Sequence, residues 1–362
     1  MKKILISAYS LDIGGIEKAL ISMVNRLKDK YEITVVLEKK QGIFLKEIDK
    51  DKKVKIIEYK PADDKNVFIR KIKNLILRIK YYFKLKNKYD FSASFATYSK
   101  MGSYVARMAS RNSYLWAHAD YLSLYNGNKN DVKDFFEGIK YDKFKKIVFV
   151  SNEGKNSFLE VFPKYKNKVL VCNNFIEYEK IKEKANEKIN FNKNTKTLFL
   201  NVGRHDERQK KLTRIIDAAK MLKDEGYDFQ ILFIGDGKDS NLYKKQVKDL
   251  GLQNNIIFLG KKENPYPYFK ISDCVLLSSD YEGYPVVFLE SFILEKPIIT
   301  TKVSDYDEID GKFGYVAKKE SDDIYNKMKM FIEKGFEIKE KFDGEKYNQN
   351  IINKIEKMIE GN

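Results

Sequence analysis

Two patterns of apolar and polar residues alternate along the chain. Short apolar runs such as KILISAY (3–9) and TLFLNVG (197–203) have the length of buried strands. Each is followed by a segment with apolar residues at every third or fourth position, which is typical of a helix packed on a sheet. The alternation runs through both halves of the chain and predicts two α/β domains, each with a parallel, Rossmann-like, doubly wound sheet.

The domain boundaries follow from where this alternation stops. The chain has 362 residues, enough for about two domains. We expect an N-terminal domain over 1–176, a charged linker over 177–196 and a C-terminal domain over 197–341. The last segment, 342–362, has apolar residues at helical spacing among charges, so it is predicted to be an amphipathic helix that packs on another surface.

The composition narrows the class of partner without identifying it. The formal net charge is +17, which favours an anionic partner: a nucleic acid, a membrane surface or an anionic substrate. No apolar run approaches the ~20 residues of a membrane span. The N-terminal residues predict a first strand and not a signal peptide, because no apolar core with a cleavage site follows the two lysines.

Ligands of doubly wound sheets bind beyond the carboxyl ends of the strands, so the loops there are the candidate sites. Gly14 and Gly15 follow the first strand and open a helix, where an anion can approach free N–H groups, although a tight turn explains them equally well. His118 follows another strand. It is predicted either to contact a hydroxylated or anionic substrate or to be an ordinary histidine, at the surface or satisfied within the core.

A cationic loop follows the first strand of the C-terminal half. Gly203 ends that strand, Arg204 comes next, and Lys210 stands before the following helix. A guanidinium and an ammonium that converge on one loop suit a diphosphate, although a solvated run of charges would look the same. Gly235 ends the next strand of the same half and is a further candidate for a loop that approaches the ligand.

Glu290 interrupts an otherwise apolar helix. Its neighbours three and four positions away are Val286, Val287, Ile293 and Leu294, so its carboxylate should be buried. Burying a carboxylate that has no partner costs several kcal/mol. We therefore expect a hydrogen-bond donor beside Glu290, and the vicinal hydroxyls of a ribose would supply two.

Glu282 lies in the loop before that helix. Pro285 suits the first helical position, so the first turn at Val286 and Val287 would offer N–H groups to a phosphate. Glu282 would then lie nearest to whatever is attached beyond that phosphate.

The two glutamates, with seven residues between them, resemble the motif of the retaining glycosyltransferases of family 4, which have the GT-B architecture of two Rossmann-like domains that face a cleft. The segment VGRHDERQKK (202–211) is similar to the strand-tip arginine and the lysine with which that family holds the donor diphosphate, and Lys211 stands where the family usually has glycine. The loop at Gly14–Gly15 and the histidine in WAHAD also resemble family features. The resemblance covers nearly the whole chain.

The resemblance implies a retaining, hexosyltransferase-type glycosyltransferase that needs no metal or other cofactor. It would transfer a sugar from a nucleotide sugar, most commonly a UDP-sugar, to a hydroxyl of a glycan. The donor would bind mainly to the C-terminal domain and the acceptor to the N-terminal domain, on which the final helix would pack. The implied catalytic residues are His118, Arg204, Lys210 and Glu282. The implied donor-binding residues are Gly14, Gly15, Gly203, Arg204, Lys210, Gly235, Glu282, Gly283, Tyr284, Pro285, Val286, Val287 and Glu290.

A basic segment in the N-terminal half bears on the acceptor. Residues 65–88 contain nine Lys or Arg and no Asp or Glu, and their apolar residues recur at helical spacing. This basic amphipathic helix would lie on an anionic membrane or hold a lipid-linked diphosphate, and an ordinary packed helix is the third interpretation. The residues expected to contact a membrane or an acceptor are Arg70, Lys71, Lys73, Arg78 and Lys80.

We therefore expect a cytoplasmic enzyme, peripheral on the inner face of the cell membrane, with a lipid-linked glycan acceptor in the synthesis of a cell-surface polysaccharide or glycoconjugate. One alternative is a sugar-nucleotide epimerase of the same fold, which would need no acceptor. The other is a nucleic-acid-binding protein, suggested by the charge alone, although the sequence carries no nucleic-acid-binding motif and we expect no nucleic acid as a partner.

Overall fold

The computed structural model describes residues 1–12 and 14–361 and divides them into two units by their internal contacts. Unit 1 comprises Met1–Ile176 and the C-terminal segment that begins at Tyr347, and unit 2 comprises Glu177–Lys346. Residues 177–196, which were expected to be a linker, therefore lie within unit 2, where they include a short helix. Each unit is built on its own parallel sheet.

Thirteen strands occur in the part of the chain that the structure describes. They are β1 (Lys3–Ala8), β2 (Glu32–Leu37), β3 (Val54–Glu58), β4 (Phe91–Ser94), β5 (Ser113–Ala117), β6 (Lys146–Phe149), β7 (Val169–Val171), β8 (Thr197–Val202), β9 (Phe229–Ile234), β10 (Ile256–Gly260), β11 (Cys274–Leu277), β12 (Ile298–Thr301) and β13 (Gly314–Ala317).

The helices lie between these strands, with three short 3₁₀ turns in addition. They are α1 (Gly15–Leu27), α2 (Leu45–Ile48), α3 (Val67–Leu85), α4 (Lys100–Ala109), α5 (Tyr121–Leu124), α6 (Lys129–Gly138), α7 (Asn152–Val161), α8 (Tyr178–Lys184), α9 (Leu212–Asp224), α10 (Ser240–Asp249), α11 (Tyr266–Ile271), α12 (Val286–Ile293), α13 (Ser321–Lys334) and α14 (Gly344–Glu360). Among them no helix is long and apolar enough to cross a membrane.

Both sheets are parallel and doubly wound. The sheet of unit 1 has the order β3-β2-β1-β4-β5-β6-β7, and that of unit 2 has the order β10-β9-β8-β11-β12-β13. In each unit the chain runs outward on one side of its first strand and then returns to the other side. The strand order therefore reverses between β1 and β4 in unit 1 and between β8 and β11 in unit 2, and such switch points are where these sheets bind ligands. The predicted pair of doubly wound sheets is confirmed.

The helical periodicity of α9 shows how the core of unit 2 arises from the sequence. Its apolar residues recur every three or four positions and form one buried face that packs on the sheet. The residues of this contact are Leu212, Ile215, Ile216, Ala219 and Leu222 on the helix and Phe199, Ile231 and Phe233 on the strands.

The part of α14 that follows Tyr347 belongs to unit 1. Its side chains at Ile351, Ile355 and Met358 are buried. The Asn348 side chain accepts a hydrogen bond from the Ile176 N–H and donates one to the Ile176 carbonyl, over 3.1 and 2.7 Å. The helix thus buries its apolar stripe within unit 1, and Asn348 satisfies backbone groups that would otherwise be buried without partners.

Helix α3 packs on unit 1 mainly through its C-terminal part. Tyr81 and Leu85 are buried, and the Tyr81 hydroxyl donates to the Glu58 carbonyl over 2.6 Å. The opposite side of the helix carries large apolar side chains that remain exposed. We call this set the apolar face of α3, and its residues are Phe68, Ile69, Ile72, Leu75, Ile76, Ile79 and Phe83.

Candidate functional site

Two loops at the switch point of unit 2 form the candidate site. The β8 loop (203–211) and the β11 loop (278–285) follow adjacent parallel strands, so both leave the same edge of the sheet. The Ser278 hydroxyl lies 2.8 Å from the Lys210 carbonyl and 2.9 Å from the Lys211 carbonyl. These contacts bind the end of one loop to the start of the other.

A second group of contacts ties the same loops through Asp280. Its N–H donates to the Gln209 carbonyl over 2.8 Å, and its carboxylate pairs with Arg214 of α9 at 2.6 Å. Lys319 donates to the Asp280 carbonyl. Because backbone groups of both loops are used, their relative position does not depend on a single side chain.

The most buried ion pair of the site is formed by Lys210 and Glu282. Lys210 Nζ lies 2.6 Å from Glu282 Oε1, and the Glu282 side chain is only 9% exposed. Ser279 donates to the same carboxylate oxygen over 2.7 Å, and Gln209 donates to the other over 3.2 Å. The sequence analysis assigned Lys210 to the donor diphosphate and Glu282 to the group beyond it. In the structure the two side chains form an ion pair with each other.

Glu290 lies in the second turn of α12 and is 6% exposed, as its apolar neighbours predicted. Its Oε1 accepts a hydrogen bond from the Tyr266 hydroxyl over 3.2 Å. The expected donor is therefore present within the protein. Sequence reasoning missed Tyr266, because nothing in the sequence links α11 to a helix twenty residues further on.

The start of helix α12 differs from the expectation only in the position of Pro285. Pro285 has an extended backbone (φ −64°, ψ 121°) and precedes the helix, whose first residue is Val286. The expectation that Pro285 occupies the first helical position was thus wrong by one residue, a shift within the ordinary uncertainty of helix ends. No side chain caps this end. The first-turn N–H groups at Val286 and Val287 lack partners within the helix, as at every helix start.

Arg204 is exposed at the site, whereas Gly203 and Gly235 lie where the ends of two strands approach each other. The Arg204 side chain is about two-thirds exposed and donates to the Gln209 side chain over 3.0 Å. A Cβ atom on Gly235, whose φ is +146°, would lie 1.8 Å from the Gly203 carbonyl oxygen. Gly235 is therefore required by the close approach of the ends of β8 and β9, whatever its relation to a ligand.

Lys211 adopts the left-handed conformation, with φ of +49°, immediately before α9. This is the position at which the family pattern has glycine, and the conformation explains that preference, because a side chain there is strained. Lys210 is the residue whose ammonium enters the site. Lys211 Nζ lies 3.9 Å from carboxylate oxygens of Glu207 and Asp280.

The segment after β12 completes the surroundings of the β11 loop. The Tyr284 hydroxyl donates to Glu308 Oε2 over 2.8 Å, and the Ser304 hydroxyl donates to the Gly283 carbonyl over 2.7 Å. Burial raises the pKa of Glu308, and the hydrogen bond from Tyr284 opposes this shift. Neither Ser304 nor Glu308 was singled out in the sequence, since no motif spacing joins them to the glutamates.

The β8 loop also contains His205, which sequence reasoning passed over. The residue is 2% exposed, and its Nδ1 lies 2.8 Å from the Ser240 hydroxyl. Burial lowers the pKa of His205, although the Asp236 carboxylate opposes the shift. The imidazole thus connects the loop to the start of α10.

In unit 1 the glycine loop holds an internal carboxylate. Gly14 has an extended backbone and precedes α1, which Gly15 begins. A Cβ atom on Gly14 would lie 2.1 Å from Glu17 Oε2. The Tyr98 hydroxyl donates to Glu17 Oε1 over 3.3 Å, and burial raises the pKa of Glu17. The anion predicted for this helix start has a counterpart in the chain itself, the Glu17 carboxyl group.

His118 follows β5, where its ring packs 4.6 Å from that of Phe95. Neither ring nitrogen has a hydrogen-bond partner of ordinary geometry. Burial lowers the pKa of His118 to about 3, and the Phe95 backbone only partly opposes this. The imidazole is therefore neutral at physiological pH. It can donate or accept a hydrogen bond there, but it carries no positive charge that would attract an anion.

The five cations predicted to contact a membrane or an acceptor, Arg70, Lys71, Lys73, Arg78 and Lys80, all lie exposed on α3. Lys73 pairs with Asp64, and the Arg78 guanidinium lies over the Tyr104 ring at 5.7 Å. These residues belong to a helix and not to the loops at the carboxyl ends of the strands.

Comparison with known proteins assigns the class. Residues 181–349, which contain both loops of the unit 2 site, match the family model Glycosyl transferases group 1. The structure resembles HepE of Anabaena in complex with UDP, with a TM-score of 0.75 at 18% identity, and the match covers 98% of this chain and all of that one. The segment 181–349 therefore belongs to the group 1 glycosyltransferases, and the fold of the chain is GT-B.

Two relatives show how far the similarity extends along the chain. A glycosyltransferase of Methanocaldococcus jannaschii, described as uncharacterized, is 29% identical over 49% of this chain and 48% of its own length. The chain thus spans about half of that relative. N-acetylgalactosamine-N,N'-diacetylbacillosaminyl-diphospho-undecaprenol 4-alpha-N-acetylgalactosaminyltransferase of Campylobacter jejuni is 25% identical over 83% of this chain and 81% of its own.

Replacing Lys211 by glycine should stabilise the protein. The change relieves a left-handed backbone conformation, so we expect the free energy of unfolding to rise by about 0.5–1 kcal/mol. Urea denaturation would measure it. Lys211→Ala is the matched control, because it removes the same charge but keeps the Cβ atom and the strain. Equal effects of the two substitutions would contradict the explanation by backbone conformation.

His118 should make stability fall in mild acid. Its pKa of about 3 in the folded state lies below the unfolded value near 6.5, so the unfolded chain takes up the proton first. Stability present above pH 6.5 is then lost as the pH falls, by about 1.4 kcal/mol per unit. Urea denaturation at pH 7.5 and pH 5 would measure this loss of stability. In His118→Gln the loss between the two pH values should be smaller by about 2 kcal/mol.

His205 provides the comparison for this test, because burial also lowers its pKa. The substitution His205→Gln should leave unchanged the part of the acid-induced loss of stability that is due to His118. An unchanged pH dependence in His118→Gln would show that the imidazole is solvated in the folded protein.

Proposed function

We propose that this chain is a retaining, metal-independent glycosyltransferase that transfers a sugar from a UDP-sugar to a hydroxyl of a lipid-linked glycan. The observation that carries the proposal is the pair of tethered loops at the switch point of unit 2. They combine buried Lys210 and Glu282, the exposed Arg204 and the uncapped start of α12 on one edge of the sheet.

The diphosphate of the donor is the group that suits this edge. The N–H groups at the start of α12 and the positive end of its dipole favour an anion. Lys210 and Arg204 add two cations on the neighbouring loop. Together they would stabilise the negative charge that develops on the leaving diphosphate as the bond from the sugar breaks, which is the role that such donors perform in transfer reactions.

The uridine ribose is assigned to Glu290. Its carboxylate is buried in α12, one and a half turns beyond the helix start, and the Tyr266 hydroxyl contacts Oε1. A vicinal diol would bring two further hydroxyl donors to the same carboxylate. In this arrangement Tyr266 orients Glu290, and the distance along α12 separates the ribose from the phosphates.

Glu282 is assigned to orienting the transferred sugar and not to forming a covalent bond with it. Lys210, Ser279 and Gln209 together use both carboxylate oxygens, which leaves a poor nucleophile. The acceptor hydroxyl would then attack the sugar on the face from which the diphosphate leaves, and its proton would pass to the departing diphosphate. Correct placement of the reactants supplies much of the rate in such a mechanism.

The acceptor is proposed from the name of one relative. The name of the Campylobacter relative specifies an acceptor linked through a diphosphate to undecaprenol. A similar lipid-linked glycan is the acceptor that we propose here, in the synthesis of a cell-surface polysaccharide or glycoconjugate on the cytoplasmic side of the membrane. The neutral His118 in unit 1 would contact a sugar hydroxyl.

The choice of nucleotide can be tested by binding. Calorimetry with UDP, GDP, ADP and their sugars should show the tightest binding for the uridine compounds. Glu290→Gln should weaken binding of UDP by about tenfold, about 1.4 kcal/mol, because the charged acceptor of the ribose hydroxyls is lost. Tighter binding of GDP or ADP would refute the proposed donor, and unchanged UDP affinity in Glu290→Gln would refute the ribose contact.

Tyr266→Phe is the matched control for Glu290→Gln. It removes one hydroxyl and keeps the ring, so the free energy of unfolding should fall by about 1 kcal/mol. UDP affinity should change much less than in Glu290→Gln. An equal loss in both variants would mean that the carboxylate acts through its packing and not through the nucleotide.

Transfer and binding should separate at Glu282. Glu282→Gln keeps the volume of the side chain, and we expect the transfer rate to fall about 10²-fold while UDP binds nearly as well as before. Lys210→Gln should instead weaken UDP binding. The assay is transfer of labelled sugar to a lipid-linked glycan, and conversion of the nucleotide sugar without an acceptor would indicate an epimerase. A Glu282→Gln variant with full transfer activity would overturn the assignment.

A further inference from the structure

Large exposed apolar side chains concentrate on one helix of unit 1. Of the twelve found among the described residues, eight lie on α3, and Phe68 and Phe83 near its two ends are 72% and 73% exposed. Single exposed apolar residues are ordinary on a protein surface, whereas a contiguous set marks an interaction site.

The geometry of the helix makes this set a single face. At about 100° per residue, the apolar face of α3 covers an arc of about 120°, from Leu75 to Ile69. The side that packs on unit 1, at Tyr81 and Leu85, lies opposite to the centre of that arc. The apolar face therefore points away from the unit and extends for about 22 Å between Phe68 and Phe83.

Cations line both edges of the apolar face. Lys71 and Arg78 lie along one edge, and Lys73, Lys80 and Lys84 lie along the other. No Asp or Glu occurs between residues 65 and 88. A helix with this arrangement lies in the plane of a membrane interface, with its apolar side among the acyl chains and its cations at anionic headgroups.

We propose that α3 is the membrane-docking element of the protein and that its apolar face inserts into an anionic bilayer. Contact with a second copy of the chain is the less favourable arrangement, because two such faces in contact would bring their rows of cations together. The apolar residues, and not the five cations alone, carry the interaction. The proposal does not depend on the nature of the transferred sugar.

Vesicle flotation of the full-length chain tests the docking. Wild-type protein should float with vesicles that contain phosphatidylglycerol and much less with pure phosphatidylcholine. The triple variant Ile72→Ser, Ile76→Ser, Ile79→Ser should bind the anionic vesicles at least tenfold more weakly at any salt concentration. The variant Lys71→Gln, Lys80→Gln should lose several-fold at low salt and little at high salt, because salt screens only the charges.

A matched control is available on α10 of unit 2. Leu242 is also exposed, at 47%, and Lys244 and Lys248 are exposed beside it. The variant Leu242→Ser, Lys244→Gln, Lys248→Gln should bind vesicles like the wild type. All substituted side chains are exposed, so circular dichroism and thermal unfolding should remain unchanged and exclude misfolding.

A tryptophan placed on the face separates insertion from adsorption. Phe68→Trp should show a blue shift of emission with anionic vesicles, because its ring leaves water. No vesicle binding by the wild type, or binding without a blue shift, would overturn the proposal. A wild-type dimer that the triple Ser variant abolishes in analytical ultracentrifugation would assign the face to a second copy instead.

Discussion

The buried ion pair between Lys210 and Glu282 is the interaction on which the candidate site depends. It joins the loops that follow two adjacent strands, and removal of either partner would leave a charge in a place that water hardly reaches. Backbone contacts from Ser278 and Asp280 hold the same loops, so the pair forms within a framework that is already ordered. A ligand that reaches this edge meets prearranged charges and not flexible side chains.

This prearrangement explains why one short segment contains so much of the site. From Ser278 to Glu290 the chain leaves a strand, crosses the switch point and begins a helix. The buried carboxylates at Glu282 and Glu290 have partners inside unit 2. The protein therefore compensates their burial without a ligand, which is what the cost of an unpaired buried charge demands.

Much of the fold could be predicted from the sequence, because apolar periodicity reports which face of an element is buried. The strands at 3–8 and 197–202 and the helix at 286–293 were recognised in this way. Strand β13 was not, because its sequence GYVA contains no apolar run of strand length. Helix α13 was also missed, although its buried residues Ile324, Met328 and Phe331 recur at helical spacing. The sequence indicated the apolar stripe of α3 but left its exposure open, since periodicity does not distinguish a face that packs on protein from one that does not.

The sequence by itself determined the two doubly wound sheets, the burial of Glu290 and the loop position of Glu282, because these follow from spacing along one element. Only the tertiary structure decided their partners. Tyr266 reaches Glu290 from another helix, and Lys210 meets Glu282 from another loop. Such contacts depend on how separate elements are brought together in space, and a linear pattern does not specify that arrangement.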